Sequence, residues 1–235
     1  TAQVKRRDWR WYATGPGHAI ALRHGPFAGR LIVPADHSGP RRRGGESGGA
    51  PRAIARANGG GHAYGGHVLF SDDGGLSWHL GAVQPGDETV EPNESTAAEL
   101  PDGRIYFSAR NQSERGPTRV YAVSTSGGEN FDEPYRPLTG LVTPVVQGSV
   151  LALDDLLVYS GPGDSVHRRA MTVRTSTDGG LTWRRVLATS HGPAAYSDLV
   201  DLDGRVGLLY ETGDSGPYER ICFTVADVRS PVHAF

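Results

Sequence analysis

The sequence predicts an all-β fold assembled from repeated sheets. Three observations carry this: a turn motif recurs at near-constant spacing, short alternating apolar segments lie between its copies, and no long amphipathic helix pattern occurs in the 235 residues. The motif reads Ser71-Asp72-Asp73-Gly74-Gly75-Leu76-Ser77-Trp78 and returns as Ser176-Thr177-Asp178-Gly179-Gly180-Leu181-Thr182-Trp183. A degraded copy, Ser124-Thr125-Ser126-Gly127-Gly128-Glu129-Asn130-Phe131, stands between them. The leading serines are 53 (124 − 71) and 52 (176 − 124) residues apart. A period near 50 residues with short strands between copies is the pattern of β-propeller blades, and at about 50 residues each the chain accommodates four.

The motif has a mechanical reading. Its Asp accepts backbone N–H bonds in a tight turn, its Gly takes a positive φ, and its Trp folds back as an apolar plug between sheets. Asp73 and Asp178 are therefore read as turn staples rather than reactive groups.

The strands follow in order. His67–Ser71 leads into the first motif. Gly103–Arg110 alternates after the turn Pro101-Asp102-Gly103, and Arg119–Ser124 enters the second copy. Val150–Leu153 and Leu156–Tyr159 flank Asp154-Asp155 as a hairpin, and Ala170–Val173 enters the third copy. Val206–Tyr210 and Arg220–Val225 complete the series. Residues 38–61, with Arg41-Arg42-Arg43, many glycines and no regular pattern, are expected to form a surface loop. The whole of 1–235 is read as one partial propeller domain.

Composition excludes several classes. The formal charge of −2 gives no global field for nucleic acid or anionic lipid. The arginine run has no interleaved aromatics for base stacking, so no nucleic-acid partner is expected. No apolar run of about 18 residues predicts a membrane span. One cysteine, Cys222, rules out an intrachain disulfide, and the nine histidines show no convincing metal spacing; no metal and no cofactor are expected. There is no starting Met and no charged-then-apolar leader, and Asp8-Trp9-Arg10-Trp11-Tyr12 already looks structured, so a piece of something longer is expected. The compartment stays open, with a secreted or cell-surface address favoured.

Two similar strand starts attract attention. Pro193-Ala194-Ala195-Tyr196-Ser197-Asp198-Leu199-Val200 carries a phenol, and Asn93-Glu94-Ser95-Thr96-Ala97-Ala98-Glu99-Leu100 carries a carboxylate. Glu94 and Tyr196 are expected to meet, with Arg110 and Arg168 converging beside them. Taken singly, each has a plain alternative: Tyr196 as a core or rim residue, Glu94 as a solvated turn carboxylate, the arginines as surface charges. Asn93-Glu94-Ser95 and Asn111-Gln112-Ser113 fit the glycosylation pattern but are read as incidental.

The ordered set of segments is more specific. Tyr12-Ala-Thr-Gly-Pro-Gly-His18, Asn93-Glu94…Glu99-Leu100, Phe107-Ser-Ala-Arg110, Gln147-Gly-Ser-Val150, His167-Arg168, Ala195-Tyr196-Ser-Asp-Leu199 and Gly207-Leu-Leu-Tyr-Glu211 occur in this order, with Asp-box turns between them. The chain resembles the exo-α-sialidase (neuraminidase) family of six-bladed Asp-box propellers. The resemblance implies about four of six blades in an open ring, and a sialylated glycan as the partner. It implies Tyr196 as nucleophile with Glu94 as its general base. Arg110 and Arg168 become two of three arginines gripping the substrate carboxylate, and Glu211 the residue that buttresses the first of that trio. Tyr12 falls where it would either line the glycerol-chain side of the pocket or pack. Arg169, next to Arg168, leaves the register of that pair open.

Sialidases depart from the usual glycosidase pair of carboxylates by using a tyrosine. A sialic acid carries a carboxylate on its anomeric carbon, and an anionic nucleophile would approach it with like charge. The family's first arginine, in a Phe/Tyr-Arg-Ile-Pro motif, and its acid/base Asp have no counterpart here. The resemblance therefore implies a sialidase parent and a chain that is inactive, or nearly so, by itself. A glycan-binding propeller without turnover and a protein-binding scaffold are the alternatives.

Overall fold

A computed structural model describes residues 3–40 and 62–229. They form four antiparallel sheets, each following chain order from one edge to the other. In the first, β1 (Tyr12–Thr14) and β2 (Ile20–Ala21) lie in series along one edge of β3 (Leu31–Pro40), which pairs in turn with β4 (His62–Ser71), followed by β5 (His79–Gln84). The second holds β6 (Pro92–Glu99), β7 (Ile105–Asn111), β8 (Arg119–Ser124) and β9 (Arg136–Pro137). The third holds β10 (Ser149–Leu153), β11 (Leu156–Pro162), β12 (Met171–Ser176) and β13 (Arg184–Ala188). The fourth holds β14 (Ala194–Leu202), β15 (Arg205–Thr212) and β16 (Arg220–Ala226). These are the four blades that the motif period requires.

The cores lie between blades rather than within one sheet. On β7, Ile105, Phe107 and Ala109 pack toward the first sheet with Ile32, Val68 and Val120. The intervening Tyr106 packs toward the third sheet with Val150, Leu157 and Tyr159. A strand's side chains alternate between faces, so a sheet sandwiched between two others reads as nearly continuous apolar sequence. Each fully buried residue of this kind contributes about 1.5–3 kcal/mol. Met171, Val173, Leu199, Val206, Leu208 and Tyr210 fill the space between the third and fourth sheets.

The third strand of each of the first three blades runs into a turn motif. In the first, Asp73 accepts the Ser77 N–H at 2.9 Å and the Ser71 hydroxyl at 2.8 Å, while Gly75 N–H reaches Ser71 Oγ at 2.9 Å. Asp178 repeats this with Thr182 N–H at 2.9 Å and Ser176 Oγ at 2.7 Å. In the degraded copy Ser126 Oγ takes over, accepting the Asn130 N–H at 2.9 Å. The Trp183 indole donates to Gly180 O at 3.0 Å and packs between Tyr106 and Tyr159, plugging the gap between blades. Arg30 clamps two neighbouring motifs, donating to Asp72 at 2.7 Å and to Glu129 at 3.0 Å.

One expectation changes. Ser38, Gly39 and Pro40 are not loop: they end β3 and pair with Tyr64, Ala63 and His62. The ladder hydrogen bonds available along β4 extend both strands past the apolar run that marks them in sequence. Residues 41–61, including the arginine run, lie outside the described residues. The ring is open at the fourth sheet. Val200, Leu209, Ile221, Phe223 and Val225 share the face turned away from the third sheet, and all are exposed. Among the described residues, no helix is long and apolar enough to cross a membrane.

Candidate active site

First strands begin, and second strands end, at the rim opposite the Asp-box turns. At that rim β6 and β14 share a device. Pairing shifts from Pro92↔Asn111 to Ser95↔Ala109, three residues against two. On β14 it shifts from Ala194↔Thr212 to Ser197↔Tyr210, again three against two. Both strands thus carry a bulge, which bends the strand and re-aims a side chain. The re-aimed residues are Glu94 and Tyr196. Each bulge also takes a backbone N–H out of the ladder, and a side chain accepts it. Asn93 Oδ1 takes the Glu94 N–H at 2.7 Å, and Glu211 Oε2 takes the Tyr196 N–H at 3.0 Å.

The two side chains meet: the Tyr196 hydroxyl donates to Glu94 Oε1. Arg110 Nη1 donates to Glu94 Oε2 at 2.9 Å, while its buried Nε meets no acceptor among the described residues. The Arg168 guanidinium lies over the Tyr196 ring, 5.8 Å from its centroid. It donates to the Tyr218 hydroxyl at 2.6 Å and to Val145 O at 3.3 Å. Its backbone is tied to β14, since Arg168 O accepts the Ala194 N–H at 2.9 Å. Arg169 turns away toward Asp164, which fixes Arg168 as the member of the pair beside Tyr196.

Glu211 sits behind Tyr196 and holds its backbone. Tyr12 packs: it is tilted against His67 and stacked near Trp9, with its hydroxyl buried. Its neighbour Trp11 faces the cleft instead. The cleft has a volume of about 430 Å³, walled by Trp11, Asp36 and Tyr64 from the first sheet, Glu94 and Arg110 from the second, and Tyr196 from the fourth. Burial pushes the Tyr196 phenol up to about 12; its bond to Glu94 and that carboxylate's charge add to this, and the two arginines oppose it. The phenol is neutral at pH 7, with its proton directed at a carboxylate.

Supporting residues hold the bulges. The Gln147 amide is buried, donating to Ser197 O at 2.9 Å and Pro16 O at 3.1 Å and accepting the Ser197 N–H at 3.0 Å. The segment between β1 and β2 runs against β6 so closely that a Cβ on Gly15 would lie 1.9 Å from Ser95 O, so only glycine fits. Trp11, Asp36 and Tyr64 are wall residues that the sequence reading missed. For Asp36 the available signal was a lone carboxyl directly after the apolar run Leu31–Ala35, because buried carboxyls are rare without a partner. Among the described residues, no group of three or more His, Cys, Asp or Glu side chains is placed to hold a metal.

Residues 1–208 match the family described as BNR repeat-like domain. The chain belongs to this family and is a sialidase-type β-propeller. This sialidase-type propeller is 32% identical over 244 residues to a sialidase of Micromonospora viridifaciens, covering 94% of the chain and 33% of that protein. It is 30% identical over 242 residues to Sialidase-2 of Cricetulus griseus, covering 92% and 56%. A Hadza microbial sialidase superposes with a TM-score of 0.74 at 26% identity, over 98% of this chain and 40% of that one. The propeller thus spans from 33% to 56% of the length of these two sequence relatives.

Proposed function

We propose that the protein to which this chain belongs is an exo-α-sialidase, releasing terminal α-linked sialic acid with retention of configuration. One observation carries the reading: the hydrogen bond between the Tyr196 phenol and Glu94 at a cleft that also presents Arg110, with the Arg168 guanidinium over the Tyr196 ring. A neutral phenol approaches an anomeric carbon bearing a carboxylate without like-charge repulsion. With its proton held so firmly it is a poor nucleophile until a base removes that proton. Glu94 is in contact to do so.

In the proposed first step the Tyr196 oxygen bonds to the anomeric carbon as its proton passes to Glu94. The bond from that carbon to the departing oxygen breaks, and the departing oxygen takes a proton from an acid outside this set. Water then displaces the tyrosine, giving one proton back to the conjugate base of that acid, and Glu94 returns the phenolic proton. Arg110 and Arg168 present flat, permanently charged forks matched to the substrate carboxylate. They fix which face of the sugar meets the phenol.

The reading makes the isolated chain inactive or nearly so, because the family's departing-group acid and first arginine have no counterpart among the segments that carry the resemblance. An assay of the chain on a fluorogenic sialoside checks this; robust turnover would contradict it. In the longer protein, Tyr196→Phe should lower hydrolysis by orders of magnitude while sialic acid binding survives. Binding with no turnover in the unaltered longer protein would instead mark a glycan-binding propeller.

A further inference from the structure

The cleft holds one carboxyl that the proposed chemistry does not use. Asp36 lies within β3 and is 1% exposed, yet forms part of the cleft wall. Its Oδ2 accepts the Trp11 indole N–H at 2.7 Å. Trp11 is itself pinned, its backbone N–H reaching Ser38 Oγ at 3.0 Å and its carbonyl accepting the Ser38 N–H at 3.1 Å. The carboxyl is therefore held in one place.

Its surroundings come from every neighbouring element. On β4 its cross-strand partner is Gly66, and Tyr135, from the segment before β9, packs over that glycine. Tyr64 of β4 and Tyr196 of β14 share the cleft wall. On its own strand, His37 turns to the other face, against Trp9 and His67. The charged groups acting on it are Glu94 of β6 and Arg110 of β7. Two carboxyls thus face one guanidinium, and Arg110 gives its hydrogen bond to Glu94. Burial pushes the Asp36 carboxyl up to about 7; the Trp11 bond opposes this, Glu94 adds to it, and Arg110 opposes it.

We propose that Asp36 is a specificity-determining residue of the cleft: it admits an anionic sugar only with its own carboxyl neutral, so that binding carries a proton in with the ligand. This rests on the sialic acid reading above. Arg110 in the cleft wall and Arg168 over the Tyr196 ring, set against the Glu94 carboxylate, leave one net positive charge for the incoming carboxylate. An ionised Asp36 cancels that charge. A neutral Asp36 preserves it and adds an O–H donor for the bound sugar.

Calorimetric titration of the isolated chain with sialic acid tests this between pH 6 and 8.5. The wild type should weaken by about tenfold from pH 7 to 8.5, as a one-proton linkage requires. At pH 8 it should take up close to one proton per ligand, read from two buffers of different ionisation enthalpy. Asp36→Asn keeps an oxygen for the Trp11 indole. That variant should bind with no such slope, should match at pH 8.5 the wild-type affinity at pH 6, and should melt higher than wild type at pH 8.5. A pH-independent wild-type affinity without proton uptake, or an unchanged slope in Asp36→Asn, overturns the proposal and leaves the sialic acid reading standing. Absence of sialic acid binding by the wild type at every pH overturns both.

Discussion

Tyr196 reaches Glu94 only because both lie in bulges, and the bulges hold only while their freed backbone groups find partners. Gln147 supplies two of these for β14 and a third to Pro16 across the site. Gln147→Ala should cost about 2–4 kcal/mol, since two buried hydrogen bonds and one half-buried one go and Ser197 stays buried. Urea unfolding measures this, and a loss below about 1 kcal/mol would mean the bulge is held elsewhere. Tyr196, Glu94, Arg110 and Arg168 were legible because their segments occur in a recognisable order. Trp11 and Asp36 were not. Neighbours on a strand point to opposite faces, and sequence alone does not say which face is the cleft; hence Tyr12 was left open between lining the pocket and packing, and Trp11 was overlooked.

The first sheet carries a second polar feature, on the face of β3 and β4 away from the cleft. His37 and His67 are both buried, their Nδ1 atoms 3.2 Å apart, with Trp9 stacked on His37. Burial pushes His37 down to about 4 and His67 to about 3; the Arg6 charge lowers both, and His67 is also lowered by His37. A histidine depressed in the fold is protonated more readily in the unfolded chain. Its contribution to stability is therefore complete above about pH 6.5 and is lost as pH falls toward 4. Asp36 titrates in the opposite sense between its unfolded value and about 7, gaining stability as pH falls. The informative comparison is thus wild type against a His37→Phe/His67→Phe double variant that retains Asp36. From pH 6.5 to 4 the wild type should lose stability relative to that variant, by an amount on the order of a few kcal/mol. Parallel thermal-melt curves for the two proteins across this window would contradict the account. At this scale the strand cores were legible from their apolar alternation. The ends were not: Ser38–Pro40 look like loop because Ser, Gly and Pro carry no strand pattern, yet the ladder to β4 includes them. The two- and three-residue strands β1 and β2 are too short to leave any periodicity.

Across the molecule, the blades are joined by polar clamps as well as apolar cores. Arg30 ties two Asp-box turns, and His18 of the first blade meets Asp198 of the fourth at 2.7 Å, with Ser149 of the third also donating to Asp198 at 2.9 Å. The four-blade count was legible from the motif period, although the fourth sheet has no Asp-box and rests on its strand pattern alone. The exposed row Val200, Leu209, Ile221, Phe223 and Val225 has the composition of an inter-blade face. Among the described residues nothing covers it, and contiguous apolar surface of this kind drives association. Light scattering should show concentration-dependent self-association that an Ile221→Lys/Phe223→Lys variant reduces; equal behaviour of the two chains would contradict this. The account as a whole depends on one placement of one ligand. A crystal structure of the chain with sialic acid bound should show the sugar carboxylate within hydrogen-bond reach of Arg110 and Arg168 and the anomeric carbon facing the Tyr196 oxygen. Sialic acid bound outside this cleft, or with its carboxylate turned away from both arginines, would contradict it.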